Sequence, residues 1–358
     1  MGGAVINAGD FLLEKRSFEL IRHFMPDSEI TMLNRVTEEY SDKIDYLNSF
    51  DALIFAGGPL YQPGLYRHQI PFVRQDELDS ITTPIFFLGG GIKGSVYRLS
   101  YGESDKIFLC KGVHHSVSLS CRDIYTYRFL HHQGLRAIMT GCPAWYDLGC
   151  IDRAEVSKFK TDNFSNICVS EPAKEMNVPL LLGLLKHLRK KYPSAKITLV
   201  NHRELKPSIQ SELKFLRESV GIQFMNISGS VDGFSIYDDC DLHVGFRVHA
   251  HIYNLSKRNQ TILFSEDIRG AGVNQTLGLE NLSVEEMYLG KRKLWRDYYI
   301  MRYPNGVSDP QMIAGAMMDD YLETSSQLEF GDYVRAFETM TSAFQSMSVF
   351  FNGVLNTI

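Results

Sequence analysis

The chain has 358 residues, with 37 Lys and Arg against 42 Asp and Glu, a formal net charge of −5 and a pI near 6.1. This balance excludes a broad basic surface of the kind that binds nucleic acid, although it allows a local basic pocket. A chain of this length favours two domains over one, and an apolar fraction of 44% is ample for two cores.

The cysteines form no C-x-x-C pair, so they are interpreted as buried, reduced thiols of a cytoplasmic protein. No clustered ligands for a metal ion are seen. No run of about 20 apolar residues is present, and no basic segment followed by an apolar one opens the chain. We therefore expect no metal site, no membrane span and no signal peptide.

Short apolar runs that end in turn residues alternate with helical patterns through the first half of the chain. The runs predict strands at residues 4–6, 29–33, 51–56, 83–88, 116–120 and 135–140. The helical patterns predict one helix over 11–24 and another from an N-cap at Ser120 to Gln133, with Gly134 just beyond its end. Continuous apolar strands that alternate with helices are typical of a parallel, doubly wound sheet.

A polar stretch over 152–166 predicts a linker, after which the alternation begins again. Strands are predicted at 167–170, 197–200, 222–227 and 261–264, and a further short strand is predicted to end at Gly245. Helices are predicted at 177–188, 208–220, 230–240 and from Val248 onwards. We therefore expect two Rossmann-like domains, at 1–155 and 156–305, followed by a helical tail over 306–358.

The tail carries an apolar seam. A capping box of Ser308 and Gln311 predicts the start of one helix, and a second helix is expected from about Tyr333. Apolar residues recur along the second helix at alternating intervals of three and four, at Phe337, Met340, Phe344, Met347, Phe351 and Val354. Such a seam fits packing on the chain's own domains, a homodimer interface or a peripheral membrane helix. The polar face lacks a basic array, which disfavours the membrane.

The turn after the predicted strand that ends at Gly245 carries the strongest chemical signal. Gly245 ends the strand, and Arg247 and His249 open the next helix, where unpaired amides and the positive end of the dipole favour an anion. Arginine adds a bidentate fork for phosphate or carboxylate, and histidine adds a titratable proton. The two side chains lie about 200° apart on a helix, so they can share a ligand only at its tip. A structural histidine is the alternative.

A second turn, Asn7-x-Gly9-Asp10, opens the first predicted helix. Gly9 would let the backbone approach a ligand, Asn7 could hold a hydroxyl, and Asp10 could accept a proton. Capping of the helix by Asn7 or Asp10 is the alternative.

Two further turns follow strands in the first half. Gly57-Gly58 fits close approach to a ligand or a simple tight turn, and no P-loop or dinucleotide spacing follows it. Arg122-Asp123 lies at a helix start, where an arginine indicates either a bound anion or an ion pair with a nearby acid such as Asp123.

Taken in order, these motifs resemble the polysaccharide pyruvyl transferase family, from residue 7 to about residue 280. The shared elements are Asn7-x-Gly9-Asp10, Asp51 to Gly57-Gly58, Arg122-Asp123 with Leu130 and Gly134, Gly141-x-Pro143-Ala144, and Asp241 to Arg247-x-His249-Ala250. The resemblance implies a GT-B-like α/β fold and transfer of pyruvyl from phosphoenolpyruvate to a sugar hydroxyl pair, as a ketal. Cys142 stands where the family commonly has Asp.

The resemblance also implies roles for single residues. A phosphoenolpyruvate pocket between the domains would be formed by Arg122, Arg247, Val248 and His249. The acceptor side would be formed by Asn7, Gly9, Gly57 and Gly58. From the chemistry of the residues themselves, His249 is the best-placed group to donate a proton, and Asp10 is the weaker candidate to accept one. No cofactor is implied, and the partners are phosphoenolpyruvate and a sugar or lipid-linked oligosaccharide, which would bring the protein to the membrane periphery.

Two alternatives stay open. A GT-B glycosyltransferase would use a nucleotide sugar, for which Glu266 is the one candidate to bind ribose. A non-catalytic relative would only bind a glycan. Cys142 and the poorly matched segments 59–82 and 92–115 leave that second alternative open.

Overall fold

The computed structural model describes residues 7–33, 40–61, 80–92, 119–203, 220–284 and 310–358. The chain divides into two compact units. The first unit contains Met1–Leu12 and Asp147–Thr339, and the second contains Leu13–Tyr146 and Met340–Ile358. The division predicted after residue 155 stays a prediction.

The second unit contains two parallel pairs of strands. One pair is β1 (Leu53–Ala56) with β2 (Ile85–Leu88), and the other is β3 (Leu119–Cys121) with β4 (Ala137–Met139). A bridge between Gly90 and Cys121 joins the pairs. The α-helices that the structure describes in this part of the chain are α1 (Ala8–Phe24), which begins in the first unit, α2 (Ile44–Leu47) and α3 (Ile124–His132).

The first unit is built on a six-stranded parallel sheet of order β10-β9-β8-β5-β6-β7. Its strands are β5 (Asn166–Ser170), β6 (Lys196–Asn201), β7 (Gln223–Asn226), β8 (Leu242–Gly245), β9 (Thr261–Ser265) and β10 (Leu282–Ser283). The chain runs outwards from β5 to β7, returns to β8 beside β5, and continues to β10. The order therefore reverses between β5 and β8, and open parallel sheets bind ligands at the carboxyl ends of strands at such a point.

The remaining α-helices among the described residues are α4 (Val178–Lys191), α5 (Val248–Ser256), α6 (Ile268–Leu277), α7 (Pro310–Gln327) and α8 (Gly331–Leu355). The apolar face predicted for α4 is buried, at Leu180, Leu181, Leu184, Leu185 and Leu188. Strands and helices alternate as predicted, so the α/β class with parallel sheets and C-terminal helices is confirmed.

The seam of α8 packs within the chain. In the first unit, Tyr333 and Phe337 contact the Phe159 ring, and in the second unit Phe351 stacks on Phe24 at 4.8 Å between ring centroids. Of the three alternatives for the seam, packing on the chain's own units is therefore the one that the contacts support. Within the described residues, no helix has the length and apolar character to cross a membrane.

Three predictions of local structure are wrong. Residues 29–33 form no strand, because none of them is buried. Ser120 is not an N-cap, because it lies inside β3 and its Oγ accepts the Gly89 amide at 2.7 Å, while Asp123 caps α3 through the Thr126 amide. The helix expected over 230–240 is a short 3-10 helix, Asp232–Tyr237, which packs tightly: a Cβ on Gly233 would lie 2.5 Å from Ile227.

Other predictions fall outside the described residues. They are the strand at 4–6, most of the strand at 116–120, nearly all of the helix at 208–220, and the Ser308 capping box. Strand β10 was not predicted, since it is only two residues long.

Candidate active site

The tip of α5 lies at the point where the strand order reverses. Arg247 is the N-cap of α5, and no side-chain hydrogen bond caps the helix. A Cβ on Gly245 would lie 2.5 Å from the Ser170 carbonyl oxygen, so only glycine allows β8 to end this close to β5. The structure therefore places Arg247 and His249 at the helix tip, as the sequence predicted.

Glu171 follows β5 directly and is only 1% exposed. Its Oε1 accepts hydrogen bonds from Nη2 of Arg247 at 2.5 Å and from the backbone amide of His202, at the end of β6, at 2.9 Å. One carboxylate oxygen thus joins the ends of β5, β6 and β8. Burial raises the pKa of Glu171, and the Arg247 charge opposes that rise.

The start of α1 reaches the same edge of the sheet. The His202 carbonyl accepts the Ala8 amide at 2.9 Å. A Cβ on Gly9 would lie 2.0 Å from Nδ1 of His249, so the imidazole lies directly on the Gly9 backbone. These contacts close a ring, which we call the strand-end ring, of Glu171, Arg247, His249, Gly9, Ala8 and His202.

Three atoms of the strand-end ring have unused hydrogen-bonding capacity. Oε2 of Glu171 and Nε of Arg247 are buried and have no hydrogen-bond partner among the described residues. Nδ1 of His202 is in the same state, while its Nε2 pairs with the Tyr237 hydroxyl at 2.7 Å. Burial first and the Arg247 charge second lower the pKa of His202 well below its usual range, so this imidazole is neutral.

Asn7 and Asp10 lie beside the ring. Asn7 Oδ1 accepts the Gly9 amide at 3.4 Å, which is the capping alternative that the sequence left open. Asp10 is exposed. Its charge contributes to the raised pKa of Arg269, whose main cause is the hydrogen bond from Arg269 to Asp267, the N-cap of α6.

A buried polar chain supports the backbone of the turn before α5. Ser170 Oγ accepts the amides of Phe246 and Arg247, each at 3.1 Å. Its own proton is therefore directed to Nε2 of His243, at 3.0 Å. Because Nε2 accepts, the neutral ring of His243 carries its proton on Nδ1.

The chain continues across the sheet. His243 Nδ1 donates to Thr261 Oγ1 at 2.7 Å, and Thr261 then donates to Nδ1 of His251 at 2.9 Å. The His251 side chain is therefore linked to the Arg247 amide through this chain of hydrogen bonds, and the His251 backbone amide donates directly to the Arg247 carbonyl at 3.1 Å. Burial lowers the pKa of His251 to about 3, and it lowers the pKa of His243 well below its usual range.

These histidines predict that the protein loses stability in mild acid. The unfolded chain binds a proton at each histidine near pH 6.5, whereas folded His251 does so only near pH 3. The free energy of unfolding is therefore highest above about pH 6.5. As the pH is lowered further, it decreases by about 1.4 kcal/mol per pH unit for each histidine. Urea unfolding between about pH 6.5 and 5 measures this slope.

The controls for the acid prediction are two histidine variants. His251→Gln should give a shallower slope, and His132→Gln, at an exposed site on α3, should leave the slope unchanged. A free energy of unfolding that stays flat over this pH range in the wild-type protein would show that the buried histidines are not held neutral.

In the second unit, Arg122 is buried and bonded within its own surroundings. Its Nε donates to Asp123 at 3.1 Å and its Nη2 to the Ile92 carbonyl at 3.1 Å, and the guanidinium lies against the Gly91 backbone. The ion pair considered from the sequence is thus formed. This ion pair does not test whether Arg122 binds an anion, so that role stays a prediction.

The paired glycines of the second unit make a tight turn. Gly57 and Gly58 have φ angles of 61° and 74°, and a Cβ on Gly57 would lie 2.5 Å from the Leu13 side chain. Close approach to Leu13 accounts for Gly57, so its place in an acceptor site stays a prediction. Cys142 is buried, and burial raises the pKa of its thiol.

Sequence reasoning missed Glu171, His202, Ser170 and His243. Glycines and arginines in turns marked the candidate residues in the sequence, whereas Glu171 and His202 are other polar residues that directly follow strands β5 and β6. A polar residue at the carboxyl end of each central strand is the signal that could have found these two.

Several solved structures are similar to the chain at low identity. A UDP-GlcNAc 2-epimerase from Neisseria meningitidis is 11% identical, with a TM-score of 0.44, over 87% of this chain and 90% of that one. S. aureus MnaA with UDP is 11% identical, with a TM-score of 0.43, over 90% of this chain and 93% of that one. An O-GlcNAc transferase from Thermobaculum terrenum is 11% identical, with a TM-score of 0.36, over 88% and 56%. Similarity at this level says nothing of what this chain binds.

No curated protein matches the chain. The family model for polysaccharide pyruvyl transferase matches residues 7–265, a span that contains every residue of the strand-end ring. The chain therefore belongs to the polysaccharide pyruvyl transferase family.

Proposed function

We propose that the chain transfers the pyruvyl group of phosphoenolpyruvate to a hydroxyl pair of a glycan or glycan precursor, forming a ketal and releasing phosphate. The observation that carries this proposal is Arg247 at the uncapped tip of α5, where the strand order reverses. A guanidinium at the start of a helix that no side chain caps suits a ligand with a phosphate and a carboxylate. Each charge-assisted hydrogen bond there contributes about 1.5–3 kcal/mol.

The reaction needs one proton donor and one proton acceptor. Protonation of the methylene carbon of phosphoenolpyruvate makes C2 cationic, and one sugar hydroxyl adds to C2 and loses its proton. Cleavage of the bond from C2 to the phosphate oxygen releases phosphate, and the second hydroxyl closes the ketal and passes its proton to the released phosphate. We assign the donor role to His249 and the acceptor role to Asp10, which lie on the two helices that meet at Gly9.

A nucleotide-sugar glycosyltransferase is disfavoured by the position of Glu266. Its two carboxylate oxygens accept hydrogen bonds from the loop after β5: the Ala173 amide at 2.6 Å, the Lys174 amide at 3.0 Å and the Asn177 side chain at 2.5 Å. The carboxylate proposed to bind ribose is therefore used to hold that loop.

Ligand-induced stabilisation separates the two functions. Phosphoenolpyruvate should raise the melting temperature of the protein, whereas a set of nucleotide sugars should leave it unchanged. With free and lipid-linked oligosaccharides as acceptors, release of phosphate should accompany a mass gain of one pyruvyl ketal on the acceptor. Stabilisation by a nucleotide sugar alone would favour a glycosyltransferase. Binding of a glycan without turnover of any acceptor would favour a non-catalytic relative.

A further inference from the structure

We propose that Glu171 is the positioning residue of Arg247, and that its carboxylate takes up a proton when the anionic donor binds the Arg247 guanidinium. This inference rests on the proposed function, because it takes phosphoenolpyruvate as the anion. The proton comes from the solvent and goes to a carboxylate oxygen, and no other bond forms or breaks.

The geometry shows how Glu171 holds Arg247. The carboxylate is 1% exposed, and it pairs with the guanidinium through Oε1 alone. The same Oε1 accepts the His202 amide, so the carboxylate is fixed to the end of β6 as well. Arg247 is thereby held at one nitrogen, and its Nε is left without a partner among the described residues.

Among the described residues, Arg247 is the one cation that forms a direct ion pair with Glu171, and hydrogen bonds from the backbone amides of His202 and of Glu171 itself also favour the ionised form. Oε2 of Glu171 has no hydrogen-bond partner in the described part of the chain. The free-energy penalty for burying an oxygen without a hydrogen bond is larger for an ionised carboxylate than for a neutral carboxyl group. The His202 imidazole is neutral, as described above, and the Tyr237 hydroxyl, whose pKa is raised by burial, is neutral too. Arg203 also acts on Glu171 through its charge, but it donates its hydrogen bond to the Ala173 carbonyl.

A bound anion changes this balance. The phosphate or carboxylate of phosphoenolpyruvate would share the positive charge of Arg247, and like charges on both sides of one guanidinium repel. Burial already raises the pKa of Glu171 in the free protein, mainly by desolvation. Further loss of the compensating charge favours the neutral carboxyl, so binding of the anion and uptake of the proton are linked.

Calorimetry of phosphoenolpyruvate binding tests this link. Titrations in buffers of different ionisation enthalpy give the number of protons taken up, and the wild-type protein should take up more than Glu171→Gln, by as much as one per site. The amide of the variant keeps an oxygen for Arg247 and for the His202 amide. The matched control is Glu155→Gln, at an exposed carboxylate of the first unit, which should behave as the wild-type protein does.

Affinity provides a readout that loss of a structural contact would not give. At about pH 8, where the wild-type carboxylate must be protonated for the anion to bind, Glu171→Gln should bind phosphoenolpyruvate more tightly than the wild-type protein. As the pH rises, the affinity of the wild-type protein for phosphoenolpyruvate should fall faster than that of the variant. The difference should be up to about tenfold for each pH unit.

The outcomes are separable. Equal proton uptake by the wild-type protein and a folded Glu171→Gln, both binding phosphoenolpyruvate, would overturn the inference and leave pyruvyl transfer standing. Failure of the folded wild-type protein to bind phosphoenolpyruvate would overturn both. If Glu171→Gln does not fold, difference infrared spectra of the wild-type protein replace it. A protonated-carboxyl band should appear when phosphoenolpyruvate is added, and its absence overturns the inference.

Discussion

Replacing Arg247 by lysine is expected to lower kcat/KM for phosphoenolpyruvate by about 100-fold while the fold is kept. Lysine retains the positive charge, so Glu171 keeps a cation within reach. It loses the planar fork, of which one nitrogen is bound to Glu171 and another, Nε, has no described partner. Loss of one charge-assisted hydrogen bond to the donor, about 1.5–3 kcal/mol, corresponds to roughly 10–150-fold.

Alanine is less informative at this position. Arg247→Ala would leave the Glu171 carboxylate buried without its ion-pair partner, a change that typically costs about 3–5 kcal/mol of stability. Lost activity could then result from unfolding. The lysine variant separates the two effects because it removes the geometry of the fork and not the charge.

The control for Arg247→Lys is Arg153→Lys, at an exposed position of the same unit. Steady-state kinetics of phosphate release with an accepted glycan should show the loss in Arg247→Lys alone. A folded Arg247→Lys with the kcat/KM of the wild-type enzyme would remove Arg247 from the donor site.

Replacing Gly9 by alanine is also expected to lower kcat strongly. The new Cβ would lie 2.0 Å from Nδ1 of His249 and 2.5 Å from its Cγ, so the imidazole must leave its position. A general acid typically contributes about 10²–10⁴-fold to a rate, and kcat should fall within this range. The new Cβ would also lie 2.9 Å from Cβ of His249, which rotation of the ring cannot move, so the backbone at the start of α5 must shift and the melting temperature should fall as well.

Gly331→Ala is the matched control for Gly9→Ala. Gly331 also lies in the first turn of a helix, and its added Cβ would meet nothing closer than an Arg335 side-chain nitrogen at 3.7 Å. Turnover and melting temperature should be measured for both variants. Wild-type turnover by Gly9→Ala would show that His249 need not occupy this position, and the assignment of His249 as the proton donor would fail.

The tip of α5 could be predicted from the sequence because its signals are local. Gly245, Arg247 and His249 lie within five positions, and the apolar strand before them and the helical pattern after them fix the turn. The apolar face of α4 was predictable for the same reason, since a run of leucines at helix spacing defines it.

The rest of the strand-end ring depends on strand order. Glu171 and Arg247 are 76 positions apart, and they meet because β5 lies next to β8 in the sheet. Ala8 and His202 meet only because α1 begins in the first unit. Hydrophobic periodicity predicts that a strand exists and gives no information about its neighbours, so these contacts could not be predicted.

The N-cap of α3 could not be predicted from the sequence for a different reason. Ser120 and Asp123 are both good N-caps, and the choice between them depends on where β3 ends. The Gly89 amide, from the neighbouring strand end, occupies Ser120 Oγ, so the cap falls to Asp123. A contact with a residue 31 positions away thus decides a local feature.

A crystal structure of the protein soaked with phosphoenolpyruvate would show directly whether the tip of α5 is the donor site. We expect the phosphate or carboxylate of the ligand within hydrogen-bond distance of the Arg247 guanidinium and the first amides of α5, with the methylene carbon next to His249. Ligand density that avoids the strand-end ring, or none at saturating phosphoenolpyruvate, would contradict the assignment of this edge of the sheet as the donor site.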